Sequence, residues 1–160
     1  MHIKAPLTLL NGVIILGLVT ISMRYLAIDY GAKRTGLAVA DDAHAIAGPL
    51  EVIDSPSLLI GRIIEVIKSQ QIEALVIGLP LNMDGSEGEQ SKTVRRFAGE
   101  IEKQIDIPIH FHDERLSSFD AEQKLAALGL TRKKKKKHLD AVAAAAILQS
   151  FLDEKRGGLA

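Results

Sequence analysis

The feature that most constrains the fold is a change in the spacing of apolar residues partway along the chain. Three strand-like segments come first, at about 24–30, 35–40 and 46–53, joined by short turns. From Leu58 the spacing becomes helical, and the strand "ALVIGLP", a helix over about 89–104 and the strand "IPIHFHDE" follow. This order predicts an α/β fold with a mixed five-stranded sheet, three antiparallel strands then two parallel ones, and helices on both faces.

Length and composition fit one globular domain. The chain has 160 residues, of which 47% are hydrophobic, enough to bury a full core without disulfides. It has no cysteine, which excludes thiolate metal sites and is compatible with a reducing compartment. Twenty basic residues balance twenty acidic ones, so attraction to nucleic acid must come from local clusters of charge.

The first 22 residues differ from the rest of the chain. Their apolar section, Leu7 to Ile21, contains Asn11 and two glycines and is short for a spanning helix, which needs about 20 residues. We interpret residues 1–22 as an extension outside a domain of residues 23–160, with Met23 as a second start. A signal anchor and a surface-packed tail are the alternatives. The preferred interpretation predicts a cytoplasmic protein without a membrane role.

Three acidic residues stand out because each lies at the end of a predicted element. Asp29 ends the first apolar strand, Glu114 ends "IPIHFHDE", and Asp140 begins a helix that runs to about Glu154. On that helix Asp140 heads a stripe at helical spacing. Three oxygen donors without thiols or a histidine cluster suit Mg²⁺ or Mn²⁺. The stripe continues through Ala143, Ala144, Ile147, Leu148 and Phe151.

Each acid also has a structural alternative. Asp29 suits a turn in which its carboxylate accepts hydrogen bonds from its own backbone amides. Glu114 suits an ion pair with Arg115 or Lys124. Asp140 suits the first turn of a helix, where the helix dipole favours a negative charge. The shared placement at element ends, with two acids interrupting an apolar pattern, favours one common site.

Basic residues and a glycine-containing loop flank these acids. Lys33, Arg34 and Arg115 are candidates for contacts to phosphates, although Lys33 equally suits a solvated turn. In "GLPLNMDGSEGEQS" the backbone amides around Gly85, Gly88 and Ser91 are candidates for phosphate binding ahead of a helix. A basic run before Asp140 predicts salt-sensitive binding of a polyanion, with a solvated turn as the alternative. The run consists of Arg132, Lys133, Lys134, Lys135, Lys136 and Lys137.

Several motifs in order resemble the YqgF family, relatives of the RuvC-type Holliday junction resolvases with a ribonuclease H-like fold. They are "YLAIDYGAKRTGLAVAD", "PLEVI", "VIGLPLNMDGSEG", "FHDERLSSFDAE" and "HLDAVAAAAILQSFL", and they cover about Met23 to Phe151. The resemblance implies a metal-dependent nuclease, a hydrolase that matures the 5′ end of pre-16S rRNA in ribosome biogenesis. It also implies that Asp29, Glu114 and Asp140 are the catalytic and metal-binding residues.

One position departs from the pattern of many ribonuclease H-like nucleases. Those enzymes place their second carboxylate at the end of the strand beside the first, and here that strand ends in Gly78. The resemblance implies that Glu114, one strand further out, supplies the group instead. Whether the site holds one metal or two is left open.

Three classes of function are compared. The lead is a nuclease acting on structured RNA, with cleavage of branched DNA by a Holliday junction resolvase as a variant. The second is a non-catalytic, nucleic-acid-binding ribosome assembly factor. Actin-like phosphotransfer is disfavoured because it needs two such domains around a nucleotide. The sequence leaves monomer and homodimer both open.

Overall fold

The computed structural model describes residues 22–116 and 139–158, and the backbone alone of three short strands before them. These strands form a separate antiparallel sheet: β1 (Leu7–Leu10), β2 (Val13–Leu16) and β3 (Val19–Thr20). Within the described ranges, no helix is long and apolar enough to cross a bilayer. The assignment of residues 1–22 to an extension outside the domain stays a prediction.

The central element is a five-stranded mixed sheet in the order β6-β5-β4-β7-β8. β4, β5 and β6 pair antiparallel, and β7 and β8 continue the sheet parallel to β4. The predicted three antiparallel and two parallel strands are therefore confirmed. Their bounds are β4 (Arg24–Asp29), β5 (Thr35–Asp41), β6 (Gly48–Ile53), β7 (Ala74–Leu79) and β8 (Ile109–Asp113).

Helices cover both faces of this sheet, as predicted. Side chains alternate along β4, so Leu26 and Ile28 join the core under two helices while Tyr25 and Ala27 join the core under the third. A buried strand with apolar residues on both faces is typical of a central position in such a sheet. The first two helices are α1 (Leu59–Ser69) and α2 (Glu89–Glu102), and the third is α3 (Leu139–Gly157).

The buried surface of α3 is wider than the predicted stripe. Ala144, Ile147 and Leu148 are buried as predicted, whereas Ala145 and Leu152 are buried beyond it and Phe151 is only half-buried. The physical reason is that α3 contacts four strands, β4 to β7, and its small alanines allow close packing around a broad arc. The sequence also predicts helical structure from Ser117 to about Glu154 with a break at Gly129, and the part of this segment before residue 139 lies outside the described residues.

The start of α3 lies against the strand β5 at Gly36. A Cβ atom on Gly36 would lie 1.8 Å from the carbonyl oxygen of Asp140 and 2.7 Å from the backbone nitrogen of Ala141. Gly36 is also the residue paired with Asp29 across the β4–β5 ladder. The missing side chain therefore allows the first turn of α3 to lie beside the end of β4.

This contact predicts that Gly36→Ala destabilises the fold. The added methyl group meets helix backbone, which cannot turn away, so we expect a loss of about 1–3 kcal/mol or more in the free energy of unfolding. Gly61→Ala is the control, because Gly61 lies in α1 with nothing within 4 Å of its Cβ position. That change should be neutral or stabilising by up to ~1 kcal/mol. Equal thermal melts for Gly36→Ala and wild type would contradict the prediction.

Candidate active site

Asp29 and Glu114 meet at one edge of the sheet. Asp29 is the last residue of β4, and Glu114 follows β8 directly in a short 3₁₀ turn, Glu114–Leu116. The Glu114 carboxyl donates a hydrogen bond to the Asp29 carboxylate, and both side chains line a cavity of 490 Å³. The structure thus brings together two of the three predicted acids, although they come from strands that are not neighbours.

Gly78 explains how Glu114 reaches Asp29 across the intervening strand β7. A Cβ atom on Gly78 would lie 2.6 Å from Glu114 Oε1 and 2.6 Å from the Cδ1 atom of Ile147. A side chain at this position would occupy the space that the Glu114 carboxyl now fills. The end of β7 carries a glycine instead of an acid, and this glycine makes the room that the acid following β8 needs to reach Asp29.

Asp140 lies beside this pair and faces the guanidinium group of Arg34. Its Oδ2 atom is 3.2 Å from Nε of Arg34, yet its charge is close enough to raise the pKa of Asp29. Over residues 22–116 and 139–158, no three Asp, Glu or His side chains form a group ready to hold one ion. The predicted convergence is thus seen for two carboxyl groups, and the third is held next to them by Arg34.

The protonation of the pair follows from its surroundings. Burial raises the pKa of Asp29, and the negative charge of Asp140 adds to this, while the hydrogen bond from Glu114 opposes it. Burial also raises the pKa of Glu114, to about 7, and the neighbouring charge of Asp29 contributes. The two carboxyl groups therefore share a proton near neutral pH. A cation held by these carboxyl groups would take the place of that proton.

The donor set fits a hard divalent cation. Asp29, Glu114 and Asp140 offer only carboxylate oxygens, which Mg²⁺ and Mn²⁺ prefer to thiolate or imidazole ligands. The raised pKa values show that the fold places negative charge where water does not fully compensate it. These residues are consequently the ones that would hold a metal.

The predicted basic residues differ in their surroundings. Lys33 is exposed on the turn after Asp29, and Arg34 on the same turn pairs with Asp140. Arg115 instead lies 2.7 Å from the Asp113 carboxylate and donates hydrogen bonds to the carbonyls of Asn82 and Met83. Arg115 therefore braces the loop after β7, a role that the sequence did not indicate. The run Arg132 to Lys137 lies outside the described residues.

The loop between β7 and α2 has internal hydrogen bonds, and one of its three candidate phosphate-binding amides, that of Gly85, is occupied by them. Gly85 has a positive φ of 85° and donates its N–H to the carbonyl of Asn82. Ser91 lies inside α2 and is fully buried, and its hydroxyl donates to the carbonyl of Pro80. Of the three predicted loop residues, only Gly88 lies directly at the start of α2.

The packing role of two glycines was missing from the sequence interpretation. Gly36 and Gly78 both interrupt strands, and an isolated glycine inside a strand pattern often marks a close backbone approach. That signal, combined with an alanine-rich helix, was available in the sequence as a sign that α3 lies close to the sheet. It did not indicate which atoms would fill each gap.

Comparison with known proteins agrees with this geometry. Residues 23–154 match the family described as RuvX: Holliday junction resolvase. A protein of Maridesulfovibrio salexigens named "Putative pre-16S rRNA nuclease" is 41% identical over 132 residues, covering 81% of this chain and 98% of that protein. An identically named protein of Anaeromyxobacter sp. strain K is 42% identical over 137 residues, covering 83% and 98%.

A solved structure shares the fold. It is described as T. thermophilus RuvC in complex with Holliday junction substrate, with a TM-score of 0.56 and 21% identity over 86% of this chain and 97% of that chain. This likeness confirms the ribonuclease H-like fold that the motifs predicted. The sequence match over residues 23–154 and the 41% identity to a relative confirm the family resemblance: the chain belongs to the RuvX family.

Proposed function

We propose that the protein is a metal-dependent nuclease that hydrolyses phosphodiester bonds in RNA and matures the 5′ end of pre-16S rRNA during ribosome biogenesis. The observation that carries the proposal is the half-buried pair of Asp29 and Glu114, whose carboxyl groups meet in one cavity next to Asp140. Membership of the RuvX family supports a phosphodiester-hydrolysing enzyme, and the names of the relatives support the RNA substrate.

The side chains of the site have separate roles in this reaction. A Mg²⁺ or Mn²⁺ ion held by Asp29, Glu114 and Asp140 would supply charge stabilisation for phosphoryl oxygens and acidify water. Glu114 gives up its proton when the cation is loaded, because the carboxyl group must ionise to become a ligand. Arg34 holds the Asp140 carboxylate near the pair, and Lys33 adds positive charge beside it for the substrate backbone.

Cleavage of branched DNA is the second candidate. The family is described by Holliday junction resolution, and the fold is shared with a RuvC structure that contains such a junction. Incubation of the purified protein with precursor 16S rRNA and, separately, with a four-way DNA junction distinguishes the two substrates. If the protein binds the RNA but cleaves neither substrate, the result would favour a ribosome assembly factor and contradict the nuclease proposal.

The three acids are predicted to act together on metal and substrate. Asp29→Asn, Glu114→Gln and Asp140→Asn should each lower cleavage by at least about 100-fold, as expected for losing a charge-stabilising group at a reacting centre. Each should also weaken Mn²⁺ binding measured by calorimetry. Asp106→Asn is the control because this acid is exposed and away from the site. Unaltered metal affinity in all three variants would contradict the assignment.

The proton shared by the pair predicts a pH-dependent stability without metal. The folded pKa of Glu114, about 7, exceeds its ordinary value of 4.5, so the fold favours the protonated form. Stability from this group is complete below pH 4.5 and is lost as the pH rises through 7. Glu114→Gln lacks this loss and should be more stable than wild type at pH 8 by ~1–2 kcal/mol, after allowing for solvent screening.

Thermal melts in a chelator between pH 4.5 and 8 measure this difference. The gap in melting temperature between Glu114→Gln and wild type should close towards pH 4.5, while Asp106→Asn should follow wild type throughout. A gap that stays constant with pH, or that widens in acid, would show that the Glu114 carboxyl is not protonated by its surroundings.

The basic run is predicted to contribute affinity rather than chemistry. Replacement of Lys133 to Lys137 by glutamine should weaken RNA binding and flatten its dependence on salt, because each lost phosphate contact reduces the counterions released. Turnover at saturating RNA should be retained. Binding isotherms at several salt concentrations provide the slope, and an unchanged slope would identify the run as a solvated segment.

A further inference from the structure

A second cavity lies beside the carboxyl pair, against the turn that follows Asp29. It has a volume of 260 Å³ and lies between that turn, the end of β6, the start of α1 and one side of α2. Tyr30, Gly31, Ala32 and Thr93 line both this cavity and the one that holds Asp29 and Glu114. The two cavities are therefore neighbours with a common wall. We call this second one the side cavity.

The inner wall of the side cavity is apolar and partly aromatic. The ring of Tyr30 stacks on the ring of Phe97, with centroids 4.1 Å apart and planes inclined by 16°. Leu59, Ile60 and Pro56 extend this wall. Proteins that bind unpaired RNA place unstacked bases against aromatic and apolar surfaces of this kind. The volume suits one base and part of its sugar better than a larger ligand.

The rim of the side cavity carries two cations without counterions. Lys33 and Arg96 are both exposed and line the cavity, and neither has an ion pair or side-chain hydrogen bond with any residue that the structure describes. The acid on the same rim, Glu100, lies 3.5 Å from Nζ of Lys103 and is partly neutralised by it. The rim therefore has a surplus of positive charge suited to a phosphate group.

Position connects the side cavity to the reaction. Tyr30 follows Asp29 directly, so their Cα atoms are about 3.8 Å apart. We propose that the side cavity is a subsite for one unstacked nucleotide of the substrate strand, next to the cleaved bond, with its base against the apolar wall at Tyr30, which stacks on the buried Phe97, and its phosphate on Lys33 and Arg96. This inference rests on the proposed nuclease function, because it assigns the occupant to the substrate.

A titration with adenosine 5′-monophosphate tests the subsite without metal or cleavage. In ¹⁵N NMR spectra of the full chain, the nucleotide should shift the amides of Ala32, Thr93 and Phe97 in a saturable way, and adenosine or inorganic phosphate alone should do so more weakly. Arg96→Gln should weaken this binding about two- to fivefold, the range for one exposed charge contact.

Lys68→Gln is the matched control. It removes one exposed cation from the last turn of α1, about 12 Å along the helix from Ile60, and should leave the affinity unchanged. Equal affinities for Arg96→Gln and Lys68→Gln, or shifts located elsewhere, would overturn the subsite. Tight binding of inorganic phosphate without a contribution from adenosine would also overturn it, because the base would then have no role.

A short single-stranded oligoribonucleotide tests whether the occupant belongs to the substrate. It should shift the same amides at lower concentration than the mononucleotide, with Asp29 and Glu114 also perturbed. Shifts at the acids that leave the side cavity unperturbed would overturn the proposal. Since this readout requires no turnover, a failure to cleave RNA would count against the nuclease proposal alone.

Discussion

The contact on which the site depends is the close approach of α3 to β5 at Gly36. It joins a strand near the beginning of the described domain to the last described helix. Only glycine at this position leaves room for the backbone of Asp140, because any Cβ atom would collide with it. Because Gly36 pairs with Asp29 across the ladder, the same contact fixes the distance between two of the acids. Burial is the main cause of the raised pKa of Asp29, and the charge of Asp140, which this contact holds nearby, adds to it.

Placing three carboxyl groups close together lowers the stability of the folded protein. Asp29, Glu114 and Asp140 repel one another when all are ionised, and partial burial removes the water that would weaken the repulsion. The structure limits the cost in two ways: Glu114 keeps a proton, and Arg34 pairs with Asp140. Sites that are destabilised by their own charges are a common compromise between stability and function.

The fold was predictable from sequence because its signals are local, whereas the details of the site are not. The apolar run of β4 and the helical spacing of α1 each identify an element without knowledge of its neighbours. The width of the buried face of α3 depends on four strands that contact it, and the role of Arg115 depends on carbonyls more than thirty residues away. The shared proton of Glu114 likewise follows from packing that brings two non-adjacent strands together at Gly78.

In the proposed nuclease, the turn after Asp29 would link the chemistry to the choice of substrate. Arg34 on this turn pairs with Asp140, while Lys33 lines the side cavity, so adjacent cations have different surroundings. A nucleotide can enter the side cavity only after its base leaves the stack, which costs a few kcal/mol in a duplex and least in a single strand. Selection would then depend on an unpaired or readily unpaired nucleotide rather than on base sequence. An unpaired rRNA precursor end meets this requirement, and so does a strand exchange point in branched DNA, which is why one architecture is compatible with both candidate substrates.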